Sequence, residues 1–409
     1  MQSRPPKPSF YAYLITAICF SIQALGVGTY ISFGVFFNPL MEEFGWSRAA
    51  ISGASSTAFF CMGIFGVVIG RLNDLFGPRR LMTAAALMLG LGCVLTGRLA
   101  TLWELYLYFG IVFGIGLSAV DVIALTTIAR WFAHRRGFMT GIVKVGTGAG
   151  QFAMPLIAGS LILICGWRWT IAVIGAVVAL ILVFMAQFMR RDPGALGSQR
   201  NSTAVNPTAS SPETPPGLPL SRVFKTAAFW TICLANLFLV SCLMVILLHI
   251  VPHARDLGIP PIQAAGVLST IGGVSMLGRF ASGMIIDHRG SKAVMGFSFV
   301  LLLTDLVWLQ FADRLWMIYL FGVVYGLAHG GFFTAISPLV AEYFGLHHHG
   351  TLFGIVVCFG TTGGAIGPLL AGRLFDVSGS YWSTFFILTA LALVACALLL
   401  SLRPVKRGT

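Results

Sequence analysis

The chain has 409 residues, of which 57% are hydrophobic and only 10% are charged, and its mean hydropathy is +0.89. Because soluble domains carry roughly a quarter charged residues, this composition excludes a soluble enzyme, a nucleic-acid-binding domain and a disordered scaffold. The formal net charge of +13 must therefore be explained within a membrane protein.

Twelve apolar stretches of about 20 residues or more divide the chain, and each is long enough to cross a bilayer as a helix. The predicted helices begin near Ala12, Ala49, Leu81, Leu105, Gly137, Thr170, Ala227, Gln263, Ala293, Trp316, Gly350 and Tyr381. Eighteen of the 26 Lys and Arg residues fall in segments on the same side of the membrane as the N-terminus, and six fall in loops on the opposite side. Since such an excess marks the cytoplasmic side, we expect a multi-pass protein of the cell membrane with both termini in the cytoplasm and no nucleic-acid partner.

The first six predicted helices contain few ionisable side chains, and each is a functional candidate because an ionisable group inside a bilayer is costly. Tyr30 is a candidate polar contact on the first helix, and Asp121 lies near the middle of the fourth. The fifth helix carries a polar stripe at helical spacing, which predicts a face directed at water or a cavity rather than lipid. The stripe consists of Thr140, Lys144, Thr147 and Gln151.

Lys144 and Asp121 lie at similar depths on consecutive helices, which leaves three interpretations of Lys144 open. It can be a second anion-binding charge, it can form an ion pair with Asp121, or it can balance charge for packing. Asp121 is the candidate proton carrier, because a carboxylate binds or releases a proton as its surroundings change.

Residues 190–222 are rich in Pro, Ser and Thr and predict a flexible cytoplasmic linker between residues 1–189 and 223–409. The two halves repeat each other, since Gly70, Asp74 and Gly77 recur 213 residues later as Gly283, Asp287 and Gly290. Internal repeats of this kind are typical of secondary transporters with a substrate site at the midplane. We therefore expect an all-α membrane protein with twelve transmembrane helices in two pseudo-symmetric six-helix bundles.

In the second half, Arg279 lies on the eighth helix, roughly 12 Å from Asp287 at 1.5 Å per residue. Gly272, Ser275 and Gly283 share its helix face, and we expect these small residues to leave room for a substrate. A guanidinium remains charged and binds a carboxylate through two parallel hydrogen bonds. The alternative is a structural arginine that bridges helices.

Two histidines also lie within predicted helices, His249 on the seventh and His329 on the tenth. Either can add a hydrogen bond to a substrate, and we include His249 among the candidate substrate-binding residues. The alternative for each is an ordinary contact between helices.

The segment from Gly70 to Arg80, GRLNDLFGPRR, resembles the helix 2–3 loop motif of the major facilitator superfamily, G-x-x-x-D-R-x-G-R-R, with Leu75 in place of the Arg. A second copy with the same spacing runs from Gly283 to Lys292. This resemblance implies the major facilitator fold and a gating role for Gly70, Asp74, Gly77, Arg79, Arg80, Asp287 and Arg289.

Residues 131–150 resemble the helix 4–5 signature of the monocarboxylate transporters and their microbial relatives, which include oxalate/formate exchangers. Phe132, Arg135, Arg136 and three glycines, Gly141, Gly146 and Gly150, fall in register with that signature. The resemblance implies that Arg279 binds the substrate carboxylate. Ser275 stands where the animal members place an Asp, four residues before this Arg, so proton coupling must use another group or be lost.

We therefore expect a monomeric secondary transporter that moves a small monocarboxylate, of the lactate or pyruvate type, with a proton by alternating access. Its substrate-binding residues are predicted to be Arg279, Lys144, Tyr30, His249, Gln151 and Ser275, with no catalytic residue, metal or cofactor. No P-loop motif is present, so ATP is not the expected energy source. If Lys144 is unpaired, two cations suit dicarboxylate exchange of the oxalate/formate type; a membrane anion sensor without transport is a further alternative.

Overall fold

A computed structural model describes residues 10–132, 135–192 and 219–402 of the chain. Nearly all of these residues are helical, and none of them forms a β-strand. Most of the predicted linker, residues 193–218, and both chain ends, residues 1–9 and 403–409, lie outside the described residues.

The membrane helices are numbered here in chain order. They are α1 (Phe10–Phe44), α2 (Arg48–Phe76), α3 (Pro78–Thr96), α4 (Leu102–Trp131), α5 and α6 (together Arg136–Gln187), α7 (Ala227–Asp256), α8 (Pro261–Arg289), α9 (Ser291–Leu309), α10 (Leu315–Phe344), α11 (His349–Ser378) and α12 (Trp382–Ser401). A single helical turn, Leu220–Val223, precedes α7.

Ten continuous helices in the described ranges are long and apolar enough to cross a membrane. One of them, Arg136–Gln187, is 52 residues long and contains Gly166 with non-helical backbone angles (φ 74°, ψ 163°). This break separates α5 (136–165) from α6 (167–187), so the element supplies two crossings. The 29 residues of α8 are also long enough to cross but are less apolar, since α8 carries Arg279, Asp287 and Arg289. The count of twelve agrees with the sequence.

The turns that follow α2 and α8 show the internal repeat at the level of the backbone. Gly77 and Gly290 have the same φ of 79°, in the region that side chains of L-residues rarely tolerate. Each glycine ends one helix and directly precedes the next, so no loop is needed between them. We call the end of the molecule formed by these two turns the motif end.

Helices of one half meet those of the other along two seams, α2 with α11 and α5 with α8. Both seams are built on glycine. A Cβ on Gly141 would lie 2.7 Å from the carbonyl oxygen of Arg279, and a Cβ on Gly350 would lie 2.5 Å from that of Gly70. Small residues let membrane helices approach closely, and dispersion contacts there stabilise the association. The glycine repeat therefore places the backbones of the two halves in direct contact.

The outer surface of the helices is apolar, as expected for a protein surrounded by lipid. Large hydrophobic side chains such as Leu163, Val377 and Trp103 are more than four-fifths exposed. The interior of each half is filled with aromatic side chains, among them Phe109 and Phe113 in the first half and Phe299 and Phe321 in the second.

Candidate transport site

A buried ion pair joins α4 and α5 in the first half of the molecule. The Lys144 ammonium nitrogen, Nζ, lies 2.7 Å from Oδ1 of Asp121. The Lys144 side chain is 5% exposed, whereas the Asp121 side chain is 22% exposed. Of the interpretations that the sequence left open for Lys144, the geometry matches the ion pair.

Gln23 on α1 and Thr147 on α5 complete the hydrogen bonding around this pair. The Gln23 amide nitrogen donates to Oδ1 of Asp121 at 2.7 Å, and its amide oxygen accepts from the Thr147 hydroxyl at 2.7 Å. A buried ion pair is retained only when hydrogen bonds satisfy its remaining atoms. These contacts hold α1, α4 and α5 in one arrangement around Asp121.

Arg279 on α8 brings a third charge to the same place. Its Nη1 donates to the carbonyl oxygen of Lys144 at 3.2 Å, so the guanidinium lies across the α5–α8 seam. Arg279 is 2% exposed, and its Nε has no hydrogen-bond partner among the described residues. Gly148 makes room for it, because a Cβ there would lie 3.3 Å from Nη1.

Lys144 and Asp121 neutralise each other, so the three-residue group carries one net positive charge, located on Arg279. A buried charge without a partner costs several kcal/mol. An anion that binds Arg279 would remove this cost, and a carboxylate fits the planar guanidinium best. The arrangement can therefore hold one carboxylate next to an ion pair that protonation of Asp121 would break.

α10 lies against the same group. The Phe333 ring centroid is 5.9 Å from Nζ of Lys144, and the His329 ring lies 4.9 Å from the Phe333 ring. Gly330 allows this approach, since a Cβ there would lie 2.6 Å from the backbone nitrogen of Arg279. His329 is buried and its Nδ1 has no hydrogen-bond partner in the described part of the chain.

The other predicted substrate-binding residues lie in different surroundings. Tyr30 is half-buried on α1; its hydroxyl accepts from the Ser55 hydroxyl at 3.1 Å, and its ring stacks on Phe109. Gln151 is partly exposed on α5. His249 contacts the Tyr381 hydroxyl at 3.1 Å and the Pro368 carbonyl oxygen at 3.2 Å. These contacts join α7 to α11 and to the residue that precedes α12, and neither of them involves Asp121, Lys144 or Arg279.

The expectation that small residues on α8 leave room beside Arg279 is right at one position and wrong at another. A Cβ on Gly272 would have no atom within 4 Å, so this position borders open space. Gly283, in contrast, is in contact with Gly141 across the α5–α8 seam and leaves no space. Ser275 is buried, and its hydroxyl donates back to the Gly272 carbonyl at 2.9 Å.

At the motif end, Asp74 at the end of α2 crosses to the other half of the molecule. Its carboxylate accepts from the backbone nitrogens of Gly350 and Thr351, at 3.1 and 2.9 Å, in the first turn of α11. It also accepts from the Thr351 hydroxyl and pairs with Arg130 of α4 at 2.6 Å. A helix N-terminus has unsatisfied N–H groups and a positive dipole end, so a carboxylate there stabilises the contact.

Asp287 at the end of α8 makes the equivalent contact in the opposite direction. It accepts from the backbone nitrogens of Gly137 and Phe138, at 2.7 and 3.0 Å, in the first turn of α5. Each half therefore holds a helix N-terminus of the other half through one aspartate, and together the two contacts close the motif end. We call Asp74 and Asp287 with their partner amides the paired caps.

The basic residues of the motif remain at the surface. Arg80 and Arg289 are exposed, and Arg79 is exposed while donating to the Gln187 amide oxygen at 2.9 Å. The motif led to both aspartates but not to their partners, Arg130 and the helix N-termini. The repeat contained a usable signal, because Gly137 and Gly350 lie 213 residues apart in the first turns of α5 and α11.

Comparison with known proteins agrees with this architecture. A family model described as Major Facilitator Superfamily matches residues 13–304 and 277–409. Monocarboxylate transporter 13 of Bos taurus is 25% identical over 399 residues, covering 97% of this chain and 90% of its own. The agnestins efflux protein AgnL12 of Paecilomyces divaricatus is 25% identical over 413 residues, covering 99% and 91%.

The fold also matches solved structures. The human organic anion transporter MFSD10 (TETRAN) aligns with a TM-score of 0.76 and 17% identity, over 97% of this chain and 100% of that one. With the family model spanning the chain, these matches agree with the resemblance found in the loop motifs. The chain belongs to the major facilitator superfamily, whose members are membrane transporters and not enzymes.

Proposed function

We propose that this transporter moves a small monocarboxylate of the lactate or pyruvate type together with a proton. The observation that carries the proposal is Arg279, a buried cation with an unpartnered Nε beside the neutral Lys144–Asp121 pair. One uncompensated positive charge suits one carboxylate. The similarity to monocarboxylate transporters supports the same substrate class.

Asp121 is the proposed proton carrier. Its side chain is the more exposed member of the pair, so a proton can reach it while Lys144 stays buried. Protonation would break the pair and free the Lys144 ammonium to join Arg279 on the carboxylate. The site loaded with proton and substrate would then have the same net charge as the empty site, which removes the electrical cost of the conformational change.

The proposed conformational change is alternating access between two bundles, residues 1–189 and 223–409, joined by a cytoplasmic linker at 190–222. The paired caps hold the motif end closed, while a Cβ on Gly272 of α8, nearer the opposite end, would meet open space. Breaking the caps would allow the bundles to rotate and open the motif end. The excess of Lys and Arg supports a cytoplasmic motif end, and we propose a monomer of the cell membrane.

Exchange of the oxalate/formate type is the second candidate and requires an unpaired Lys144 without proton uptake. Labelled lactate uptake into proteoliposomes separates the two. We expect uptake into empty vesicles to be stimulated by an inwardly directed proton gradient. Uptake that requires preloaded oxalate would establish exchange instead, and absence of uptake with retained binding would favour a sensor.

A further inference from the structure

Two buried nitrogen atoms near the centre of the molecule have no hydrogen-bond partner among the described residues, and they belong to neighbouring side chains. They are Nε of Arg279 and Nδ1 of His329. Arg279 is 2% exposed and His329 is 6% exposed. Because buried polar atoms are nearly always paired in native proteins, two such atoms on residues that lie close together are candidates for binding one ligand.

The fold brings His329 to Arg279 through close backbone contact. Gly330 brings α10 against α8 between Ser275 and Arg279, where a side chain would not fit. The imidazole lies within electrostatic reach of both Arg279 and Lys144. Tyr325 and Phe333 flank it on α10, with ring centroids 5.9 and 4.9 Å away. The ring therefore has a fixed position with its Nδ1 unoccupied.

We propose that His329 binds the oxygen on the carbon next to the substrate carboxylate, and so selects 2-hydroxy and 2-oxo acids. This inference rests on the proposed function, in which Arg279 binds the carboxylate itself. An imidazole nitrogen donates or accepts according to its tautomer, so it can pair with a hydroxyl or with a keto oxygen. An acid without this oxygen leaves Nδ1 unpaired.

The expected consequence is discrimination between acids of similar size. A site built to hydrogen-bond a substrate hydroxyl rejects an analogue that lacks it, because the buried group of the site remains unsatisfied. Propionate differs from lactate only in lacking the 2-hydroxyl. We expect the wild-type protein to bind lactate about tenfold more tightly than propionate, the effect of one buried hydrogen bond.

The test is titration of the purified full-length protein with lactate and with propionate. Binding is measured as the rise in unfolding temperature, followed by intrinsic tryptophan fluorescence. His329→Phe keeps an aromatic ring between Tyr325 and Phe333 and removes both ring nitrogens. We expect this variant to lose the preference, through weaker lactate binding, and to keep its propionate affinity within about threefold. His329→Gln, which retains a hydrogen-bonding group, should recover part of the preference.

His347→Phe is the matched control, because it makes the same substitution at an exposed histidine of the α10–α11 turn. We expect it to behave as wild type. An unchanged preference in His329→Phe would overturn the inference, as would a wild type without a preference. If His329→Phe does not fold, His329→Leu serves as the second variant without a hydrogen-bonding group. Failure of the wild type to bind either acid would overturn the proposed function as well.

Discussion

The two halves of this transporter are alike at the motif end and different at the centre. At the motif end, Asp74 and Asp287 lie 213 residues apart, and each binds two amides at a helix N-terminus of the other half. At the centre the corresponding positions have unrelated chemistry. Lys144 corresponds to Val357, and Arg279 corresponds to Gly66.

We interpret this difference as a division of roles, in which the repeated motif end serves the movement of the bundles and the unrepeated centre serves substrate binding. In the proposed mechanism, two bundles that rotate against each other need equivalent contacts at their closing ends, and both copies of the motif supply such a contact. The proposed substrate is a small asymmetric anion, and its proposed site has a cation in one half and a charge-compensated pair in the other. The predictions that follow test this division, beginning with the largest expected effect.

Arg279→Gln removes the uncompensated cation and should have the largest effect. Losing one partner of a buried charged hydrogen bond costs about 2–5 kcal/mol, so we expect lactate affinity to fall roughly 30-fold or more. Arg279→Lys, which keeps the charge but loses the planar fork, should bind with intermediate affinity. The rise in unfolding temperature during titration with lactate measures binding in the wild type and in both variants. Unchanged lactate binding in a folded Arg279→Gln variant would remove Arg279 from the site.

Asp121→Asn tests the pair in the other half. It should leave Lys144 buried without a counterion and lower the free energy of unfolding by about 3–5 kcal/mol. The double variant Asp121→Asn/Lys144→Gln is the matched control, since it removes both charges and should recover most of this loss. Chemical denaturation in detergent measures the difference.

Lactate transport should be uncoupled from the proton gradient in the same Asp121→Asn variant. We expect lactate counterflow to continue, while uptake no longer responds to an inwardly directed proton gradient. Uptake that still follows the gradient would identify another proton carrier.

The paired caps should give the smallest and most local effects. Asp74→Asn should increase hydrogen exchange at Gly350 and Thr351 and leave Gly137 and Phe138 unchanged, whereas Asp287→Asn should do the reverse. A hydrogen bond to a charged group contributes about 1.5–3 kcal/mol, so increases of about ten- to a hundredfold are expected. Mass spectrometry of the exchanged peptides measures this. Equal increases at both sites would show that the caps open together.

Much of the architecture followed from local sequence. Helix number and the glycine repeat are encoded in hydropathy and spacing, and both agree with the structure. Pairing of Lys144 with Asp121 was one of three interpretations, because similar depth on consecutive helices does not specify how each helix is rotated. The structure supplies that rotation, and the two charges meet at 2.7 Å.

Contacts between distant helices could not be predicted in this way. Arg130 pairs with Asp74 across 56 residues, and the N-terminus of α11 reaches the same carboxylate from the other half. The surroundings of Gly283 could not be predicted either, because the sequence does not show whether a glycine near a charged residue faces open space or the backbone of another helix. The sequence offered His329 only as one of two histidines within predicted helices, and its burial with an Nδ1 unpartnered among the described residues is what distinguishes it.

The central claim is that one proton accompanies each monocarboxylate. Proteoliposomes that contain a pH-sensitive dye report the movement of protons when lactate is added outside. The membrane potential is clamped with valinomycin, at zero in one set of vesicles and at a strongly negative value in another. We expect internal acidification matched to lactate uptake, at a rate that does not depend on the potential. Lactate uptake without acidification, or at a rate that changes steeply with the potential, would contradict it.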